Sequence, residues 1–531
     1  MTDKDQHQDG PHHCDERAAL LHENHHQNST PKHLDQDVPG YAPPQQRLRW
    51  GETEVLPHVN WGDLYFDLLI VAMAHNLAKI LETDPSLSGL FYFTCLFYPM
   101  FSIWEERMFY DSQYAPDDNF FHRGMEIIHI LLVGTIIQSI GSAHVMSHPS
   151  EYANTFIFST AFLMDSLCAA GKHDDVYRNV VGGEEAKYHA KDDLDRKLVA
   201  LTLYFSAVAF AAYEYFGVPS GTGQATSLPV VLIFVGIVFE QAATSWQTIV
   251  LVPKRGDHPR FRVPLNMEFV THRLGEFIMI VLGESILGLL LVQRSHGIKY
   301  FVVFYSGLLS VTFLQYLYYR TSPADVNDHA LKRSPRAGYT FMGILSVYAG
   351  SLIIVGGSYK LMLAQFLDEQ IAQQTANAPS SCTTAAAAAV EGVVYTLAER
   401  RVRIANMFCW SLAFSQMMLD FMIGLHRGLR ANWALFYHRD GSINGVRVFV
   451  ALLNFFMICI TALLSQWTTR LDILSILGLV VISIQVVTRS LKQRLFPVRK
   501  ESAARAAMDA FPLGPDRDHR PWPNVTTPEI A

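Results

Sequence analysis

The chain has 531 residues, of which 50% are hydrophobic and 17% charged, with a formal net charge of −7. A nucleic-acid binder carries a basic field, so this balance excludes nucleic acid as a partner. The apolar content excludes a chain that is disordered or collagen-like throughout. The length would suit about three soluble domains, but the apolar residues crowd between about 61 and 490, in runs too long and too numerous for that plan.

Residues 1–60 are rich in His, Gln, Asp and Pro and read as a disordered cytoplasmic tail. Seven histidines (His7, His12, His13, His22, His25, His26 and His33) could loosely hold transition metals. Their spacing enforces no ligand geometry, and a solvated polar tract is the simpler reading. No apolar segment follows Met1, so no cleavable signal peptide is expected. Twelve apolar runs come next, at about 63–81, 88–105, 126–147, 152–170, 198–216, 228–252, 274–293, 300–319, 340–363, 404–425, 446–466 and 471–489. Each approaches the roughly 20 apolar residues that cross a bilayer. Twelve in series cannot all be buried in one soluble core. The expected fold class is therefore all-α, a polytopic integral membrane protein whose main partner is the lipid bilayer. Residues 366–403 are expected to be the longest loop, and 491–531 a second disordered tail. Six cysteines, at positions 14, 95, 168, 382, 409 and 459, show no metal or redox spacing and imply no disulfide framework.

Loop charge gives orientation. Loops after even-numbered runs, on the same side as both tails, hold 20 Lys and Arg, and those after odd-numbered runs hold 6. The positive-inside rule then places both termini in the cytoplasm.

Ionisable side chains inside hydrocarbon are costly and usually face a protein interior or a water-filled cavity. Asp67, His75, Asp165, Glu240, Glu284 and Asp420 all lie well inside runs. Asp63, Asp67, Val71 and His75 are four apart and share one helix face, and His272, Glu276, Ile280 and Glu284 do the same. Two stripes of carboxylates and imidazoles suit a hydrated path for a proton or cation. They suit equally a polar network that holds helices together. His122, Glu126 and His129 stand at the entrance of the third run, where a metal hydrolase could use them; interfacial placement is the plainer reading, and no metal or cofactor is expected. Glu105-Glu106-Arg107 closes the second run and reads as an interfacial ion pair. Gly356-Gly357 and Gly283/Gly288 permit close helix approach. No metalloprotease, phosphate-loop or dinucleotide signature occurs, and Gly283-Glu284-Ser285 lacks the frame of a nucleophile elbow.

The stripes superpose. A shift of 209 residues lays Asp63 on His272, Asp67 on Glu276 and His75 on Glu284. Ser159-Thr-Ala-Phe162 before Asp165 is echoed by Ser411-Leu-Ala-Phe414 before Asp420. Both correspondences are six runs apart, which suggests a parallel 6+6 duplication with halves at about 61–270 and 271–490.

Two stretches also resemble a known family. Trp61-Gly-Asp63-Leu-Tyr-Phe66-Asp67-Leu is similar to the W-x-E-L-F-F-D-L opening of the bacterial low-temperature-requirement A (LtrA) family. His272-Arg273-Leu-Gly275-Glu276-Phe, continuing to Leu282-Gly283-Glu284-Ser285, is similar to that family's E-R-F-G-L-F…L-G-E-S helix. Asp63 replaces the usual Glu, His272 replaces another Glu, and Glu276 replaces an apolar residue. The resemblance implies a multi-pass membrane protein and supplies no reaction.

The leading functional expectation is a transporter or channel-like protein for a small cation, proton or polar solute. Asp67, His75, Glu276 and Glu284 would be its pathway residues, with Asp165, Glu240 and Asp420 beyond them. The alternatives are an intramembrane, metal-dependent lipid-modifying enzyme and a non-transporting stress-response scaffold.

Overall fold

The computed structural model describes residues 40–47, 61–115, 119–140, 149–181, 184–217, 227–247, 263–292, 297–323, 328–376, 384–428 and 445–495. Apart from 40–47 and 491–495, the two expected tails lie outside these residues.

Among the described residues, twelve long helices account for the twelve apolar runs: α1 (Trp61–Thr83), α2 (Leu87–Gln113), α3 (Phe120–Ile140), α4 (Pro149–Asn179), α5 (Glu184–Gly217), α6 (Leu228–Trp246), α7 (Met267–Leu291), α8 (Ile298–Thr321), α9 (Pro335–Ala376), α10 (Thr384–Arg427), α11 (Gly445–Trp467) and α12 (Leu471–Leu495). Each is long and apolar enough to cross a bilayer, and the protein is an all-α polytopic membrane protein. A one-turn helix, Ala330–Arg333, precedes α9, and a short antiparallel pair joins β1 (Gln45–Gln46) to β2 (Tyr114–Ala115).

Helices are required here because hydrocarbon offers no partner to a free backbone N–H or C=O. Their ends are finished by side chains. Ser86 Oγ accepts the Gly89 N–H at 3.3 Å at the start of α2, and Asn266 Oδ1 accepts the Phe269 N–H at 3.1 Å at the start of α7. Hydroxyls inside the helices turn back to the carbonyl four residues earlier, as Thr94 does to Leu90 and Ser139 to Thr135, both at 2.8 Å.

Two boundaries differ from the sequence expectation. The third run, expected at 126–147, is a helix over Phe120–Ile140, and His144 lies outside the described residues. The expected loop 366–403 is largely helical, with α9 continuing to Ala376 and α10 beginning at Thr384. Good helix formers fill both extensions. Ion pairs then zip them together: Arg400 to Asp368 at 2.9 Å and Arg401 to Glu369 at 2.7 Å, while Gln365 Nε2 donates to the Leu397 carbonyl at 3.2 Å.

The core is built around α9, which packs on α1, α7, α8 and α10. α7 and α9 approach closely at Gly356, where a Cβ would stand 2.3 Å from Ser285 Oγ and 2.9 Å from its Cα. At the periphery, α11 leaves Phe449, Leu452, Phe455 and Phe456 exposed, a face that suits lipid. The four described cysteines, Cys95, Cys168, Cys409 and Cys459, are free.

Many helix neighbours recur with an offset of six, although α8 also packs on α9 and α10 without an equally close counterpart for α2. In the first half α1 packs on α2 and α3, α4 on α3, α5 and α6, and α6 also on α2 and α5. In the second half α7 packs on α8 and α9, α10 on α9, α11 and α12, and α12 also on α8 and α11. The halves meet where α1 lies against α7 and α9, and α2 against α7.

Candidate functional site

The contact between α1 and α7 carries two ionic layers. In the first, Arg273 grips Asp67 with both terminal nitrogens, each 2.8 Å from a carboxylate oxygen. Both side chains are buried, and Arg273 Nη1 also reaches Glu276 at 2.8 Å. Glu276 is more exposed, and its Oε1 stands 3.2 Å from His272 Nδ1 on its outer side. The bidentate fork fixes the rotation of α7 against α1 as well as neutralising the acid.

The second layer lies two helical turns further along α1, about 12 Å away at 1.5 Å per residue. Here His75 Nδ1 is 2.8 Å from Glu284 Oε1. Glu284 is 4% exposed and its Oε2 has no hydrogen-bond partner, whereas the His75 ring is partly open. Beyond this pair, Lys360 of α9 meets Glu82 of α1 at 2.5 Å. The two residues that a shift of 209 superposes in the sequence are therefore in direct contact.

Arg107 of α2 is the centre of a third cluster. It reaches Glu126 at 2.7 Å, Asp111 at 3.5 Å and Asp63 at 3.6 Å, and it lies 4.5 Å from the centroid of the Phe66 ring. Phe66 in turn stacks on His129 at 5.3 Å, and His129 Nδ1 is 2.6 Å from Asp165 Oδ1. Glu106 pairs with Lys197 of α5 at 2.7 Å and stands 3.4 Å from His173 Nε2. Lys197 also reaches Glu240 at 3.4 Å, and Tyr204 donates to Glu240 at 3.4 Å. Glu105 is buried and accepts Gln241 Nε2 at 2.9 Å. The expected single ion pair at 105–107 is thus three separate contacts with different helices.

The other expected residues are placed as follows. Asp420 pairs with Arg489 of α12 at 2.7 Å. His122, Glu126 and His129 do not converge: His122 bonds Asn119 and Asp175, Glu126 goes to Arg107, and His129 goes to Asp165. Among the described residues no three His, Cys, Asp or Glu gather as metal ligands. The Gly275 carbonyl accepts Tyr319 Oη at 3.1 Å, and around Gly283 a Cβ would meet nothing within 4 Å.

In the sequence Arg273 stands out only as a motif residue and Glu106 and Arg107 only as an interfacial ion pair, while Lys197 and His173 are not marked as partners. One signal was present: basic residues directly abutting apolar runs instead of standing mid-loop.

His329, between α8 and α9, and His426, near the end of α10, form a further buried pair with rings 4.6 Å apart. His329 Nδ1 accepts the Leu331 N–H at 3.3 Å, and His426 Nδ1 accepts the Ala330 N–H at 3.1 Å. Burial pushes His329 down to about 4.

The family model described as bacterial low temperature requirement A protein (LtrA) matches residues 58–482. No curated protein and no solved structure matches the chain.

Proposed function

Starting from the chain's membership of the bacterial low temperature requirement A (LtrA) family, we propose that it moves a proton or a small cation across the membrane, using the His75–Glu284 pair as its exchangeable binding element. The observation that carries this reading is a buried carboxylate with one oxygen engaged by an imidazole and the other uncommitted, on two adjacent membrane helices. Such a pair changes charge without changing its neighbours, and ionisable groups retained inside a membrane usually serve this purpose. Asp67, whose two oxygens are both taken by Arg273, acts as the latch that holds α1 against α7. Glu276 and His272 line the more open flank of that latch.

The recurring helix neighbours support a duplicated six-helix unit, a plan that places transporter sites where the two units meet. The α1–α7 contact is such a place. Asp165, Glu240 and Asp420 belong to the supporting network in this reading. Both termini face the cytoplasm.

The test is flux into proteoliposomes under an imposed pH or cation gradient. Glu284→Gln should lower flux at least tenfold while the purified protein stays monodisperse. Wild-type flux persisting in Glu284→Gln and in His75→Gln would sink the mechanism.

A further inference from the structure

A second polar site lies outside the α1–α7 contact and is independent of the transport reading. A cavity of about 30 Å³ opens between α2, α3 and α4. From α2 it is lined by Glu106, Arg107 and Tyr110, and from α3 by His129. From α4 come Asp165, Lys172 and His173, with Cys168 and Ala169 completing the wall. A buried water needs roughly 10–15 Å³ of such space and two to four polar partners, so the volume suits about two.

The partners are present. His129, His173 and Tyr110 are each 7% exposed, and His129 Nε2, His173 Nδ1 and Tyr110 Oη have no hydrogen-bond partner in the protein. A carboxylate only accepts, so His129 Nδ1 carries the proton it shares with Asp165 at 2.6 Å, which leaves Nε2 as an acceptor on the neutral ring. His173 directs Nε2 at Glu106, 3.4 Å away, and its Nδ1 is the free atom in the same way. Leaving such atoms dry would carry the full desolvation penalty of an unmade hydrogen bond.

We propose that this cavity is a water site bridging His129 to His173, and that the bridge is a proton relay. An excess proton on His173 Nδ1 passes to a water oxygen while one of that water's own protons leaves for His129 Nε2. One N–H bond breaks, one forms, and the water is unchanged, so no other reactant is needed. Tyr110 Oη donates to the water and fixes its orientation. Charges around the relay are balanced: Arg107 is met by Asp63, Asp111 and Glu126, and Glu106 by Lys197 of α5. Lys172 Nζ lies 5.7 Å from the centroid of the Tyr110 ring.

The experiment uses the full chain in lipid nanodiscs with ring-15N histidine, following protonation of His129 against pH. Ala169→Leu fills the cavity and removes the water that solvates the imidazolium Nε2–H, so the His129 midpoint should fall by about half a pH unit or more. His173→Gln removes the competitor for the shared proton, so the midpoint should rise by a similar amount. Shifts of opposite sign are the expected result. A His129 titration unmoved in both variants, or moved the same way in both, would overturn the relay. Should Ala169→Leu not purify, Ala169→Val gives the same sign with a smaller shift.

Discussion

Arg273 joins α7 to α1 through its charge. It is 5% exposed and carries two contacts to Asp67 and one to Glu276. Removing one partner of a buried pair strands the other, at a cost of about 3–5 kcal/mol. Arg273→Leu should therefore lower the unfolding midpoint in detergent sharply. The double variant Asp67→Asn with Arg273→Leu should recover part of the loss, because no charge is then left alone. Losses that simply add would remove the pair from the account. His329 makes a pH prediction at the same scale. Its imidazole is held to about 4 against an ordinary 6.5, so the unfolded chain binds this proton first. Its stability contribution is complete above pH 6.5 and is lost as pH falls towards 4, by on the order of 1.4 kcal/mol per unit. Unfolding midpoints taken from pH 7 to pH 5 should fall more steeply for wild type than for His329→Gln. Equal slopes would show that His329 is not the responsible group.

At the scale of the helix, apolar length was legible and helix length was not. Hydropathy finds only the part of a helix that meets hydrocarbon. About 42 residues of α9 would reach about 63 Å, roughly twice the hydrocarbon thickness. Its polar ends are helical because Asp368 and Glu369 find Arg400 and Arg401 on α10, a tertiary fact that no window of one helix contains. The same holds for the site. Acids such as Asp67 and Glu284 stand out against apolar neighbours, so their importance is readable. Their partners come from residues more than two hundred positions away. Arg107 and Lys197, counted as orientation charges in loops, are inside the protein neutralising Asp63, Glu126 and Glu106. The α7–α9 contact yields its own prediction. Gly356→Leu drives a side chain into the Ser285 backbone, and overpacking of this kind costs roughly 1–3 kcal/mol. It should also perturb flux, since Ser285 adjoins Glu284. Gly343→Ala, where a Cβ meets nothing within 4 Å, is the control and should leave both stability and flux unchanged.

Across the whole molecule, twelve crossings would place both chain ends on one side, as proposed above. Single cysteines introduced near residues 40 and 495 should react with a membrane-impermeant reagent from the same side of oriented vesicles. Labelling from opposite sides would remove one span from the twelve. The meeting of α1 and α7 carries a last consequence. Two identical six-helix chains related by a two-fold axis must present identical side chains to each other wherever a position faces its own copy. His75 would then oppose a second His75, or Glu284 a second Glu284, and like charges would meet in a low-dielectric interior. Under the proposed duplication, joining both units in one polypeptide would lift that obligation, and an acid and a base could stand 209 residues apart in contact, as His75 and Glu284 do. In that proposal, fusion would do more than tether two copies: it would permit an unlike pair that no symmetric dimer could contain.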